Sequence, residues 1–431
     1  MRSVAGVFAF MLLAAGLSGS TRESIAVAQT PSKATEVLAL VEAYNGSKLV
    51  WLDAATLRPL AKRAVALPGG AWGPVFSPAG RYVAFGGPGA IGVRIVDLQR
   101  MKLVASVAKR PWHRRLTPLA WPERRRLLVL DSPQDAQGAP DALLAVDPFQ
   151  RRILGRTVRA SSARTWRSWV PVGHELLVLS QRTEEMGVLR LVVFGPNAGI
   201  LRAKDVGIVG GVFPEHGDAG APQARVASPA LAGDPYGRRA FVVDSLTIAS
   251  VDLKTLDVSY ARLAEPRSLA ARFFAWLEPA AQAKLASGFS RQATWLGDGL
   301  LAVSGATFEG AWSTPSGLQL VDTQTGALRT LEPRASAHRF SQGLLLAFGA
   351  SRDRATNVEN GMGLAAFSRE GVRVWSALGD ERVWLAETAA GYAYVPTPEE
   401  TFPPGIRVID LATGAVVRTV RGEMPTFVVR D

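Results

Sequence analysis

Arginine and tryptophan, interleaved along one stretch of the chain, are the side chains best suited to bind something. The stretch holds Lys109, Arg110, Trp112, Arg114, Arg115, Trp121, Arg124, Arg125 and Arg126, then Arg151, Arg152, Arg156, Arg159, Arg164, Trp166, Arg167 and Trp169. A guanidinium meets a carboxylate or phosphate with two parallel hydrogen bonds, and an exposed indole stacks on a sugar or a base. The candidate binding residues are therefore Arg110, Trp112, Arg114, Arg115, Arg124, Arg125, Arg126, Arg164 and Arg167, and the ligand class is an anionic envelope polymer or acidic glycan, or else a protein partner. The same side chains also have a structural use, because charged strand edges discourage edge-to-edge pairing and tryptophans pack between sheets.

Other reactive groups form no constellation. The four histidines, His113, His174, His216 and His338, stand far apart without His-x-His or His-Glu-x-x-His spacing, so a metal or acid–base role needs the fold to assemble it. No Gly-x-Ser-x-Gly elbow marks a nucleophile, and neither Gly195-Pro196 nor Gly210-Gly211 opens the helix that a phosphate cradle requires. With no cysteine there is no thiolate, disulfide or lipid attachment point. The sequence therefore assigns no catalytic residue, metal ligand or cofactor.

Charge points the same way as the arginines. The 431 residues carry 49 Lys and Arg against 37 Asp and Glu, a formal net charge of +12. Residues 100 to 167 alone hold 15 basic against 5 acidic side chains, so one stretch supplies most of the excess and its long-range attraction for anions. An apolar fraction of 48% is ample for a buried core and excludes global disorder.

At the N-terminus, Met1 and Arg2 precede the apolar run Val4 to Leu17, and Ala26-Val27-Ala28 follows. A charged start, a short apolar segment and a small-x-small site are the parts of a secretory signal, with cleavage after Ala28. The run is short for a bilayer span. The expectation is an exported protein of a bacterial envelope or exterior, residues 1–28 removed and no membrane span left, with an uncleaved anchor as the alternative. Export argues against nucleic acid as the partner.

The elements that must position these groups are repeated. A strand ending in a polar turn recurs eight times, at 49–53, 93–97, 143–147, 191–195, 248–252, 318–322, 364–368 and 406–410, and six copies end in Asp. A short carboxylate can accept N–H groups two residues on and close the turn. In Asp322-Thr323-Gln324-Thr325-Gly326 and Asp410-Leu411-Ala412-Thr413-Gly414 the glycine supplies the positive-φ position of a bulged hairpin. One such acid per repeat reads as turn chemistry and not as a metal site.

An apolar strand, a Gly or Pro turn and a second apolar strand precede each hairpin except the first, as in Val75 to Phe85 and Trp121 to Leu130, with equivalent turns at Gly173, Gly237, Gly299, Gly343 and Gly391. The first repeat lacks its leading strand, and the last segment, Thr426 to Val429, has no partner in its own repeat. Pairing the two closes a ring and removes the open edges. The pattern therefore predicts an all-β fold, a single β-propeller domain over 29–431, with eight four-stranded blades and seven as the alternative. One segment breaks the β pattern: at 266–289, Leu269, Phe273, Leu277, Ala280, Ala281 and Leu285 fall at helical spacing behind Ser268, which predicts an inserted amphipathic helix.

Strands ending in Val-Asp-x-x-Thr-Gly, at Val321 to Gly326 and, with Ile409 in place of Val, at Ile409 to Gly414, together with Phe-Ser-Pro-x-Gly-Arg-Tyr-Val at Phe76 to Val83, resemble the repeats of WD40-like and YVTN-type bacterial β-propellers. The resemblance covers nearly all of the chain after the leader and implies fold, with a binding or scaffold module as the expected function. The Trp-Asp and Gly-His dipeptides of true WD40 repeats are absent. Propeller enzymes, lactonase-like hydrolases or quinoprotein-like dehydrogenases, are the alternative class; the chain lacks the adjacent cysteine pair and the tryptophan after the Thr-Gly turn that the dehydrogenases carry.

Overall fold

Runs such as Leu127-Leu128-Val129-Leu130 are apolar at every position, the pattern of a strand buried on both faces. The computed structural model describes residues 34–43, 45–133, 140–159, 164–182, 187–216, 222–263, 288–309, 312–352, 358–398, 401 and 403–429. Within them the fold is all-β, and the strands pair as antiparallel meanders.

The first meander contains β1 (Glu36–Ala43), β2 (Gly46–Asp53) and β3 (Pro59–Pro68). The second is β4 (Trp72–Phe76), β5 (Tyr82–Pro88), β6 (Val93–Asp97) and β7 (Lys102–Val107). The third is β8 (Arg114–Glu123), β9 (Arg126–Pro133), β10 (Ala142–Asp147) and β11 (Arg152–Val158). The fourth is β12 (Arg164–Val172), β13 (Glu175–Arg182), β14 (Gly187–Phe194) and the long β15 (Ile200–His216), along which β16 (Pro222–Ser228) returns. The fifth is β17 (Ala230–Gly233), β18 (Arg239–Val243), β19 (Thr247–Asp252) and β20 (Val258–Arg262). The sixth joins β21 (Gly288–Gly297), β22 (Leu300–Glu309), a return strand β23 (Trp312–Pro315), β24 (Leu318–Asp322) and β25 (Leu328–Glu332). The seventh is β26 (Ala337–Ser341), β27 (Leu344–Arg352), β28 (Glu359–Ser368) and β29 (Arg373–Ala377). The eighth is β30 (Glu387–Ala389), β31 (Tyr392–Pro396), β32 (Gly405–Asp410) and β33 (Val416–Arg421). Finally β34 (Thr426–Phe427) adds to the first meander, pairing antiparallel with β1 at Ala39↔Phe427 and Leu40↔Thr426.

Hairpins between the first and second and the third and fourth strands of a sheet lie at one end, here termed the turn end; the opposite end is the leading end. All six hairpin acids do the turn chemistry expected of them. Asp53, Asp97, Asp147, Asp252, Asp322 and Asp410 each accept main-chain N–H groups two or three residues on, at 2.8–3.2 Å. Backbone N–H groups of Thr325 and Gln324 hold the Asp322 carboxyl below the usual carboxylate range.

Strand alternation then distributes the core. Leu127 and Val129 of β9 join the second meander in one apolar cluster, while Leu128 and Leu130 join the fourth in another, because successive side chains point to opposite faces. Among the described residues every cluster draws on two meanders, and one of them combines Val37, Ala39, Val50 and Leu52 of the first with Tyr394, Ile406 and Val408 of the eighth. Phe427 sits in that cluster, stacked on Tyr394 with centroids 4.1 Å apart, and the Tyr394 hydroxyl donates to the Ala54 carbonyl at 2.9 Å.

Most of the expected helix at 266–289 falls outside the described residues, as does the leader 1–28; Gly288 and Phe289 open strand β21. No helix among the described residues is long and apolar enough to cross a membrane.

Replacing Phe427 by Ala removes a buried aromatic from the contact between the first and eighth meanders. A cost of about 3 kcal/mol is expected, in the range for such truncations, read as a fall in the urea midpoint at unchanged m-value.

Candidate functional site

Strand β8 separates the arginines that the sequence places together. Its ten residues put Arg110 to Arg115 at the leading end of the third meander and Arg124 to Arg126 at its turn end, about 30 Å away at the usual rise per residue. At the leading end Arg114 is buried: Nε donates to Asp131 Oδ1 at 2.6 Å, and Nη2 donates to the carbonyls of Asp131 and Pro140 at 2.8 and 3.2 Å. Arg110 shares the same carboxylate at 3.3 Å. Arg115 is exposed, its guanidinium 4.5 Å above the ring of Trp72, and Trp112 is 70% exposed beside His113.

At the turn end, Arg126 pairs with Glu123 at 2.6 Å and donates to Asn197 Oδ1 at 2.7 Å, and Arg125 lies 3.4 Å from Asp147. Arg124 stands over Phe149 at 6.0 Å, and Phe149 meets Tyr82 edge-on at 5.2 Å. The side chains of Arg164 and Arg167 lie outside the described residues.

Counting acids shows which cations remain. Between residues 100 and 159 the described acids are Glu123, Asp131, Asp141 and Asp147, and each has an arginine partner, Asp141 taking Arg159 at 2.8 Å. No described carboxylate pairs with Arg100, Lys102, Lys109, Arg115, Arg124, Arg151, Arg152 or Arg156, all of them exposed. Five of these gather at the turn ends of the second and third meanders: Arg100 and Lys102 flank the β6–β7 hairpin, Arg151 and Arg152 the β10–β11 hairpin, and Arg124 the β8–β9 hairpin. Arg151 Nη2 donates to the Val104 carbonyl at 3.4 Å and ties the neighbouring sheets together. Arg100, Lys102 and Phe149 had no motif to mark them; their signal was position beside an Asx hairpin.

The histidines stay apart. His338 is buried between the sixth and seventh meanders, with Nδ1 2.7 Å from Ser304 Oγ, Nε2 3.0 Å from Thr294 Oγ1, and its backbone N–H donating to Gln292 Oε1 at 3.1 Å. Burial pushes its pKa down to about 4. Ser304 is fully enclosed, so this contact is a polar core and not an open nucleophile. His113 and His174 are exposed, and the side chain of His216 lies outside the described residues. Among the described residues no three metal-ligating side chains gather.

No family model and no curated protein matches the sequence. Among solved structures the chain is similar to the dihydro-heme d1 dehydrogenase NirN in complex with DHE, at 14% identity over 91% of this chain and 74% of that one, with a TM-score of 0.48. It is similar to AztD from Citrobacter koseri at 13% identity, over 91% and 97% of the two chains, with a TM-score of 0.49. A third is the β-propeller domain of Cps50 (Swd1) from Myceliophteria thermophila, at 13% identity, over 78% and 98%, with a TM-score of 0.39. The antiparallel meanders of the structure agree with the WD40-like resemblance at the level of fold.

Two outcomes separate structural from presented groups. Asp131→Ala strands the buried Arg114 charge and costs about 3 kcal/mol, whereas Arg115→Ser shifts the urea midpoint by a few tenths of that. His338 binds its proton more weakly folded than unfolded, so the unfolded chain takes up protons first. Its contribution is complete above the unfolded value of about 6.5 and is lost as pH falls toward the folded value. Urea midpoints therefore drop between pH 7 and pH 5, and His338→Gln flattens that drop.

Proposed function

We propose that the chain is an exported, eight-bladed β-propeller that binds an anionic polymer through the turn ends of its second and third blades. Each meander is one blade, with β34 as the inner strand of the first. The pairing of β34 with β1 and the apolar cluster shared by the first and eighth meanders support closure of the ring. The leader-like segment at 1–28 supports export, and an extracellular or envelope polymer is the ligand that fits it.

One observation carries the binding reading. Every described acid of residues 100–159 is taken by an arginine, and five exposed cations remain at the hairpins of the turn ends, Arg124 among them over Phe149. Such a group attracts a polyanion over a Debye length of about 10 Å at about 0.1 M salt and loses its hold as salt rises. The leading-end residues Arg115 and Trp112 form a second, smaller presentation, while Arg110 and Arg114 serve the Asp131 pair.

Immobilised heparin tests this reading. Arg100, Lys102, Arg151 and Arg152 replaced together by Ser should weaken retention about tenfold or more, each exposed contact contributing up to about 1 kcal/mol. The control replaces Arg58, Arg262, Arg418 and Arg421 by Ser, an equal change of net charge at exposed positions elsewhere. Equal losses in the two variants would show that net charge alone drives retention and would end the proposal.

A further inference from the structure

A cleft of about 920 Å3 opens between the turn ends of the fifth and sixth meanders. Four hairpins wall it: β17–β18 brings Tyr236 and Arg238, β19–β20 brings Lys254, β21–β22 brings Asp298, and β24–β25 brings Gln324. Trp295 also lines it, held by stacking on the buried Phe241 with centroids 5.3 Å apart and planes 12° from parallel. It shares no residue with the cation patch of the second and third meanders.

The acids of the cleft are already committed. Asp234 accepts from Arg238 Nε at 2.9 Å and from the Tyr236 backbone N–H at 3.0 Å. Asp298 pairs with Arg369 at 2.5 Å. Asp252 accepts the backbone N–H groups of Lys254 and Thr255 at 2.8 and 2.9 Å. Arg239 stands opposite Asp252 across the β18–β19 ladder. Neither it nor Lys254 makes an ion pair with a described carboxylate, and both are exposed. The Asp252 carboxylate keeps its charge and Arg239 lies within its electrostatic reach, so Arg238, Arg239, Lys254 and Arg369 face three acids and the cleft keeps one net positive charge.

The aromatic part is equally specific. Tyr236 is 80% exposed, an unusual state for so large a ring. It is not loose, because Arg238 covers one face at 5.4 Å and is itself fixed by Asp234. A platform of this kind takes the flat face of a pyranose ring, while a guanidinium beside it takes a carboxylate through two parallel hydrogen bonds. The volume lies in the range of ligand sites and accommodates a short oligosaccharide.

We infer that this cleft is a binding site for a carboxylated saccharide, with the sugar ring on Tyr236, the carboxylate on Arg239 and Lys254, and hydroxyls on Gln324. The site does not depend on the polymer reading of the second and third meanders.

Trigalacturonate is the probe, with maltotriose as its uncharged counterpart and sodium sulfate as a bare anion, followed by titration calorimetry and by intrinsic tryptophan fluorescence, with Trp295→Phe identifying the contribution of Trp295 among the 11 tryptophans. Trigalacturonate is expected to bind saturably and quench tryptophan, with maltotriose at least tenfold weaker and sulfate unable to displace it. Tyr236→Ala, and separately Arg239→Gln with Lys254→Ala, are expected to weaken binding tenfold or more; both change exposed residues and leave thermal unfolding where it was. The quadruple Ser variant of Arg100, Lys102, Arg151 and Arg152 binds the trimer unchanged, so failure of the cleft and failure of the polymer surface are told apart. Absence of saturable binding, equal binding of maltotriose, displacement by sulfate, or unaltered affinity in both cleft variants overturns the assignment.

Discussion

Burial on both faces of every sheet is the constraint from which the rest of the structure follows. A strand that reads Leu-Leu-Val-Leu has no solvent face, so its sheet is incomplete until a neighbour covers each side. Sheets in the middle of the chain meet this need through the sheets before and after them. The first and the eighth share a cluster of their own, in which Phe427 and Tyr394 stack beside Val37 and Val50. Val37, Phe427 and Val428 are thereby core residues.

The same architecture decides what the charges are free to do. The hairpin acids are consumed in closing turns, and the remaining described acids of the second and third meanders are paired with arginines. Fixing acids in this way fixes the sign of what is left. Positive charge accumulates where hairpins of adjacent sheets meet, at Arg100, Lys102, Arg151 and Arg152. Between the fifth and sixth meanders the outcome differs, because Asp234 and Asp298 hold their own arginines and a tyrosine stands open between them.

The strands and hairpins were legible because their signals are local. An apolar run followed by Asp and a small turn residue encodes both faces and the reversal within about ten residues, and all eight such segments are strands leading into hairpins. The orphan C-terminal segment was legible as well, because a four-stranded repeat with a missing strand states what it lacks. Pairings across strands were not. Nothing in the sequence says that Arg114 and Arg110 share Asp131, since that contact depends on the β8–β9 register, which places Arg114 opposite Pro133. The adjacency of Arg110 and Arg124 in sequence misleads for a related reason: an extended strand carries its two ends to opposite sides of the sheet. The cleft between the fifth and sixth meanders draws between one and four residues from each of four separate turns, and no linear motif could describe it.

Main-chain bonding divides the meanders into two kinds. The first, fifth and eighth keep all their ladder bonds within a sheet of four strands. The second and third are joined through Gly87 opposite Leu116, and the fourth, sixth and seventh through β16, β21, β23 and β27. A self-contained sheet that is also continuous in sequence, as the fifth and eighth are, can be duplicated, lost or exchanged by recombination with only side-chain interfaces to repair. A laced one drags its neighbour's backbone with it. Change in unit number over evolutionary time is therefore expected to enter beside the fifth and eighth sheets, while the laced meanders are inherited as blocks, and the surfaces they share are conserved as blocks with them.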